Sequence, residues 1–126
     1  MLIGGNQMII KSFLTIQNQL RILHWQTQSY AEHQALGGAY GDLDELIDSF
    51  IETYAGVDRG VLEIGSISTS MHSIDSVKPL DFMSSVESFI SGKLSESIPS
   101  ERTDLHNLKD EMLGVVNKTK YLLNLK

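Results

Sequence analysis

The chain has 126 residues, 41% of them hydrophobic and 21% charged, with a net charge of −6 from 10 Lys+Arg against 16 Asp+Glu. That is apolar material for the core of a single domain over residues 1–126, and the absence of cysteine excludes disulfides, thiolate zinc sites and cysteine nucleophiles. Duplex DNA binding rests on clustered basic residues, but the lysines here are scattered, with only Lys118, Lys120 and Lys126 approaching a group, so DNA is disfavoured as a partner.

No apolar run reaches the ~18–20 residues of a membrane span. Met1 to Gln7 carry no basic leader. The expectation is a cytoplasmic protein with no membrane partner.

Residues 8–25 space Ile9, Phe13, Ile16, Leu20 and Leu23 by steps of four and three, the pattern of an amphipathic helix. The next segment repeats the pattern from Leu36 through Tyr40, Leu43, Ile47, Phe50, Ile51, Tyr54 and Val57 to Val61 and Ile64. Gly37, Gly38 and Gly41 weaken its first turns by up to ~1 kcal/mol each, or admit close packing of another backbone. Residues 65–80, rich in Ser and Gly, read as a connection with a short helical turn. Asp81 is placed to cap a third helix whose buried stripe is Phe82, Val86, Phe89, Ile90 and Leu94. Pro99 restarts the chain, and Leu105, Leu108, Met112, Val115, Thr119 and Leu122 predict a fourth helix. The fold class is all-α: a four-helix bundle with one long crossover between helices 2 and 3, the topological class of the ferritin-like bundles.

One cluster of imidazoles and carboxylates stands out: His24, His33, Asp48 and Glu52, with Trp25 beside the first. His33 and Asp48 lie 15 positions apart, roughly 22 Å along one helix. Metal bonds to such ligands are about 2.0–2.2 Å, so one helix cannot bring both to one ion. Either the residues are unrelated, or a second copy of the chain completes the site. An intrachain di-iron centre is excluded on other grounds. That centre needs Glu-x-x-His on two helices, but Glu87 is followed at three by Ile90 and Glu111 by Gly114, and no acid lies between Gln7 and Tyr30. Asp44, Asp48 and Glu52 form a carboxylate stripe at i, i+4, i+8. Two such helices packed antiparallel about a two-fold axis bring His33 of one chain towards Asp48 and Glu52 of the other. His106 with Asp110 reads as a surface pair, His72 as solvent-exposed, and Tyr40 and Tyr54 as core.

At these residues the chain resembles the mini-ferritin family Dps, whose hallmark is a His-Trp pair ending the first helix and His, Asp, Asp and Glu ligands along the second. The resemblance implies a shell of twelve subunits with iron oxidised at two-fold interfaces. It assigns His24 and His33 to one subunit, Asp48 and Glu52 to its neighbour, and the role of electron donor to Trp25. Two departures stand against it: the turn from His24 to His33 is about three residues shorter, and Gly37 occupies the position of a ligand Asp. One iron position keeps its ligands, the second is depleted, and ferroxidase turnover is left open. Zinc and manganese are rival metals. The close match covers residues 20–55, and in length and ending the chain is similar to uncharacterised ferritin-like proteins of tailed phages, which would place it in the host cytoplasm. The alternative reading is a non-enzymatic assembly or virion-associated protein that keeps the fold, with a structural metal or none.

Overall fold

The computed structural model describes residues 3–125, with side chains from Met8 to Leu125. The reading of residues 1–7 as free of a leader, and Lys126 of the basic end, lie outside the described side chains. Among the described residues the regular structure is entirely helical. The first two helices are α1 (Ile3–Gln26) and α2 (Tyr30–Val57). A short 3-10 turn follows at Arg59–Leu62. Helix α3 (Pro79–Phe89) runs on unbroken into a π segment (Ile90–Leu94) and a last turn (Ser95–Ser97). The fourth is α4 (Thr103–Leu123). The all-α, four-helix reading of the periodicity holds.

The core is built where the apolar stripes meet. Ile9, Phe13, Ile16, Leu20 and Leu23 of α1 are all buried, as are Leu36, Leu43, Ile47 and Phe50 of α2. Each such side chain contributes about 1.5–3 kcal/mol on leaving water. Phe13 is the hub, with edge-on ring contacts to Phe50 of α2 at 5.4 Å and to Phe89 of α3 at 6.2 Å. Tyr40 and Tyr54 are half-buried at the margin of this core rather than inside it. Met83 of α3 and Val116 of α4 also sit in it, and neither belonged to the expected stripes.

Two boundaries and one burial differ from the sequence reading. Helix α2 ends at Val57, short of Val61 and Ile64, because Asp58 adopts an extended backbone and its carboxylate accepts the Gly60 N–H, starting the 3-10 turn. Val61 is nonetheless buried, while Val57, on the apparent stripe, is 76% exposed. Helix α3 starts at Pro79, with Lys78 at the cap position and Asp81 inside the first turn. Proline suits that place, since its fixed φ and missing N–H cost nothing there. At the other end of the bundle, Leu122 is 37% exposed rather than core.

The connection between α2 and α3 meets α1 at several points. Ser66–Ser68 share a cavity with Met8, Lys11, Ser12, Thr15 and Ile16. Gln19, only 2% exposed, donates through Nε2 to the His72 carbonyl and accepts the His72 N–H, both at 2.8 Å. Gln26 Oε1 accepts from the Ile74 N–H at 2.7 Å. His72 itself is exposed, as expected. A turn at Ile74–Ser76 supplies the short helical element read within this segment.

Candidate metal centre

The site begins with a three-residue turn. Between Gln26 and Tyr30 the chain reverses through Thr27, Gln28 and Ser29. Ser29 caps α2, its hydroxyl oxygen accepting the Glu32 N–H at 3.2 Å. The Thr27 hydroxyl donates to Glu32 Oε1 at 2.7 Å and accepts the Ser29 N–H at 3.2 Å. Ser29-x-x-Glu32 is the sequence pattern of a capping box, a signal that marks the start of α2 six residues before its first apolar stripe residue. Here the Glu32 side chain closes on Thr27 instead of on the cap backbone. So tight a turn sets the last turn of α1 directly against the first turn of α2.

That places His24 opposite His33. Their rings stack with centroids 3.8 Å apart and planes 17° from parallel. Each ring bonds to the other residue's backbone: His24 Nδ1 lies 2.8 Å from the His33 carbonyl oxygen, and His33 Nδ1 lies 2.8 Å from the His24 carbonyl oxygen. A carbonyl only accepts, so both Nδ1 atoms carry the proton. Neither Nε2 has a hydrogen-bond partner among the described residues, and neither is a buried orphan. An Nδ1–H held by a backbone carbonyl fixes the ring's orientation and leaves Nε2 as the coordinating atom, the usual arrangement of a metal-ligating histidine.

The two rings do not chelate one ion as they stand. A ring nitrogen binds along its lone pair, in the ring plane, at about 2.0–2.1 Å. With the rings stacked face to face at 3.8 Å, an ion in the plane of one lies well outside the plane of the other. Each imidazole offers its nitrogen separately.

Around His24 the packing is close. The Tyr40 ring meets it edge-on at 5.2 Å, and the Arg21 guanidinium lies over the Tyr40 ring at 5.1 Å. Arg21 in turn pairs with Asp44 at 2.5 Å. Asp44 is therefore not a free carboxylate; its Oδ2 is held by Arg21, while its Oδ1 is buried without a partner. A Cβ built on Gly37 would come within 2.8 Å of His24 Cε1, whereas at Gly38 or Gly41 it would meet nothing within 4 Å. The α2 glycines thus differ in kind: Gly37 admits a side chain from α1, and Gly38, Gly41 and Gly56 face open space.

Asp48 and Glu52 are exposed on the continuous α2 helix, about 22 and 28 Å of axial rise beyond His33. Within one chain no group of three or more His, Asp or Glu side chains among the described residues is placed to hold a metal ion. The structure thus joins His24 to His33 and leaves the two carboxylates apart from them. Trp25 is 66% exposed and points away from the core; the aromatic ring actually against the imidazole pair is that of Tyr40, which periodicity alone had placed among core residues. Asp110 pairs with Lys109 at 2.9 Å rather than with His106. Among the described residues no helix is long and apolar enough to cross a membrane.

Comparison with known proteins adds a family but no activity. The chain is 28% identical over 102 residues to an uncharacterised 14.6 kDa protein of the mobD-ri intergenic region of Enterobacteria phage T4, covering 81% of this chain and 74% of that protein. No solved structure matches. Residues 24–123, a span that opens on His24 and includes every candidate ligand, match a family of unknown function, DUF5856, and the chain belongs to that family.

Proposed function

We propose that this chain is a ferritin-like protein that takes up iron at a two-fold interface between copies of itself. His24 and His33 of one copy face Asp48 and Glu52 of the other. The observation that carries the reading is the imidazole pair, with both Nδ1–H groups spent on backbone carbonyls and both Nε2 atoms left for a ligand. Two supports stand beside it. The connection from α2 to α3 is hydrogen-bonded to α1 at Gln19 and Gln26, which supports reading it as a long crossover. The carboxylates on α2 are exposed and, within one chain, out of reach of the histidines, which leaves them open to a second copy.

Iron enters here as substrate. Neutral imidazole suits Fe(II), and carboxylate oxygen suits the harder Fe(III), so a mixed set favours oxidation by peroxide or oxygen as the electron acceptor. His24 with Asp48 and Glu52 makes the better-held position. His33 lacks a carboxylate one turn on, where Gly37 stands, so the second position is weaker. Zinc and manganese compete for the same donors. Assembly in the cytoplasm, that of the host if a phage encodes the chain, into a shell of up to twelve copies completes the proposal.

Anaerobic Fe(II) titration followed by peroxide tests it. A ferric absorbance in the wild type that His24→Ala or Asp48→Ala removes supports the reading; no absorbance change in the wild type sinks it. The second reading, an assembly or virion-associated protein without metal chemistry, draws on the exposure of Trp25 and Tyr30 (66% and 75%) beside the hairpin. It predicts self-association that is indifferent to iron and to His24.

A further inference from the structure

We infer that Gly37 is the positioning residue of the imidazole pair: the missing side chain at 37 is what lets the His24 ring lie stacked on His33 with Nε2 free. The consequence for metal binding rests on the proposed function; the positioning does not.

Four contacts surround the His24 ring. His33 covers one face at 3.8 Å. The His33 carbonyl holds Nδ1 at 2.8 Å. Tyr40 closes an edge at 5.2 Å. The Cε1–Nδ1 edge faces Gly37, where a Cβ would stand 2.8 Å from Cε1, 3.1 Å from Nδ1 and 3.7 Å from Nε2. Carbon atoms in contact sit at about 3.5–4.0 Å, so even a methyl group displaces the ring. The ring cannot retreat and keep its place, because moving away from α2 breaks the stack and the Nδ1–H bond together. An aspartate at 37 would supply a carboxylate one turn from His33 only by removing His24 from this arrangement. The glycine therefore favours a His24 imidazole held in place with its nitrogen available over an added carboxylate at 37. An imidazole nitrogen favours borderline cations such as zinc, nickel and copper over hard cations such as magnesium.

Glycine inside a helix is ordinarily a cost, so a glycine kept for packing reveals itself by a reversed sign. Gly38→Ala and Gly41→Ala should each raise the melting temperature, their positions being open. Gly37→Ala should lower it, yet raise it in a His24→Ala background, where the obstructing ring is gone. In metal-free protein, nuclear Overhauser contacts between the His24 and His33 ring protons should persist in Gly38→Ala and vanish in Gly37→Ala. Titration with zinc chloride should show at least tenfold weaker binding for Gly37→Ala than for Gly38→Ala. Retained ring contacts in Gly37→Ala, or a rise in its melting temperature in the otherwise wild-type chain, would overturn the inference. If Gly37→Ala does not fold, the His24→Ala/Gly37→Ala pair decides, since failure of His24→Ala to rescue folding has the same force. Absence of zinc binding in the wild type would count against the proposed function alone.

Discussion

His24 and His33 each donate a ring Nδ1–H to the other's main-chain carbonyl, at 2.8 Å in both directions. This reciprocal exchange locks the end of α1 to the start of α2 more firmly than a three-residue turn does alone. It also ties local folding to the orientation of two potential ligands, so stability and binding share the same contacts.

A double-mutant cycle should expose that sharing. His24→Ala and His33→Ala should each cost about 1–2 kcal/mol in urea unfolding, from one lost hydrogen bond and the lost stack. The double variant should cost less than the sum, by about 0.5–1.5 kcal/mol, because both single changes remove the same stack. Additive costs would mean the rings do not interact in solution.

Phe50→Ala tests the aromatic core around Phe13. Phe50 is fully buried between Phe13 and Tyr54. Truncation should cost about 3–5 kcal/mol, read as a lower urea midpoint with an unchanged m-value. A cost under about 1 kcal/mol would show that the ring is not in the core.

Much of this was legible in the sequence, for identifiable reasons. The stripe of α1 is legible residue by residue because its 4-3 spacing meets no competing signal. The end of α2 is hidden from periodicity because Val61 keeps the helical spacing and is buried, while the break comes from Asp58, whose side chain bonds two residues on. His24 and His33 were identified as candidates, but their mutual stacking depends on a turn length and capping pattern that apolar periodicity ignores. Gly37 was legible as an absent ligand. Its contact with His24 depends on the distance between two helices, which spacing along one chain does not encode.

Gln19→Ala should release the connection from α1. Gln19 meets both the N–H and the carbonyl of His72, and losing a buried partner of this kind costs roughly 1–3 kcal/mol. Hydrogen exchange should accelerate at the His72 amide well beyond the global change. Unaltered protection there would show that the connection is held by something other than Gln19.

Acid sensitivity should trace in part to the start of α4. Hydrogen bonds from Arg102 Nε and Nη2, each 3.1 Å, hold the Asp104 carboxyl below its usual range. A carboxylate whose folded-state value is lowered stabilises the fold above its unfolded value, and that contribution fades as pH falls through the lowered value. Asp104→Asn should therefore be less stable than wild type at neutral pH, with the gap closing in acid. Urea midpoints across the acid range measure it, and a gap that does not narrow would contradict the assignment.

Subunit complementation tests the intersubunit site most directly. His24→Ala and Asp48→Ala each spoil every two-fold site in their own assemblies. A mixed pair has one doubly defective site and one with His24 and Asp48 both intact. The two variants should each show no ferric absorbance after anaerobic Fe(II) and peroxide, while the co-refolded mixture recovers about a quarter of the wild-type signal by random pairing. No recovery in mixtures shown to contain mixed pairs would contradict a site shared between copies of the chain.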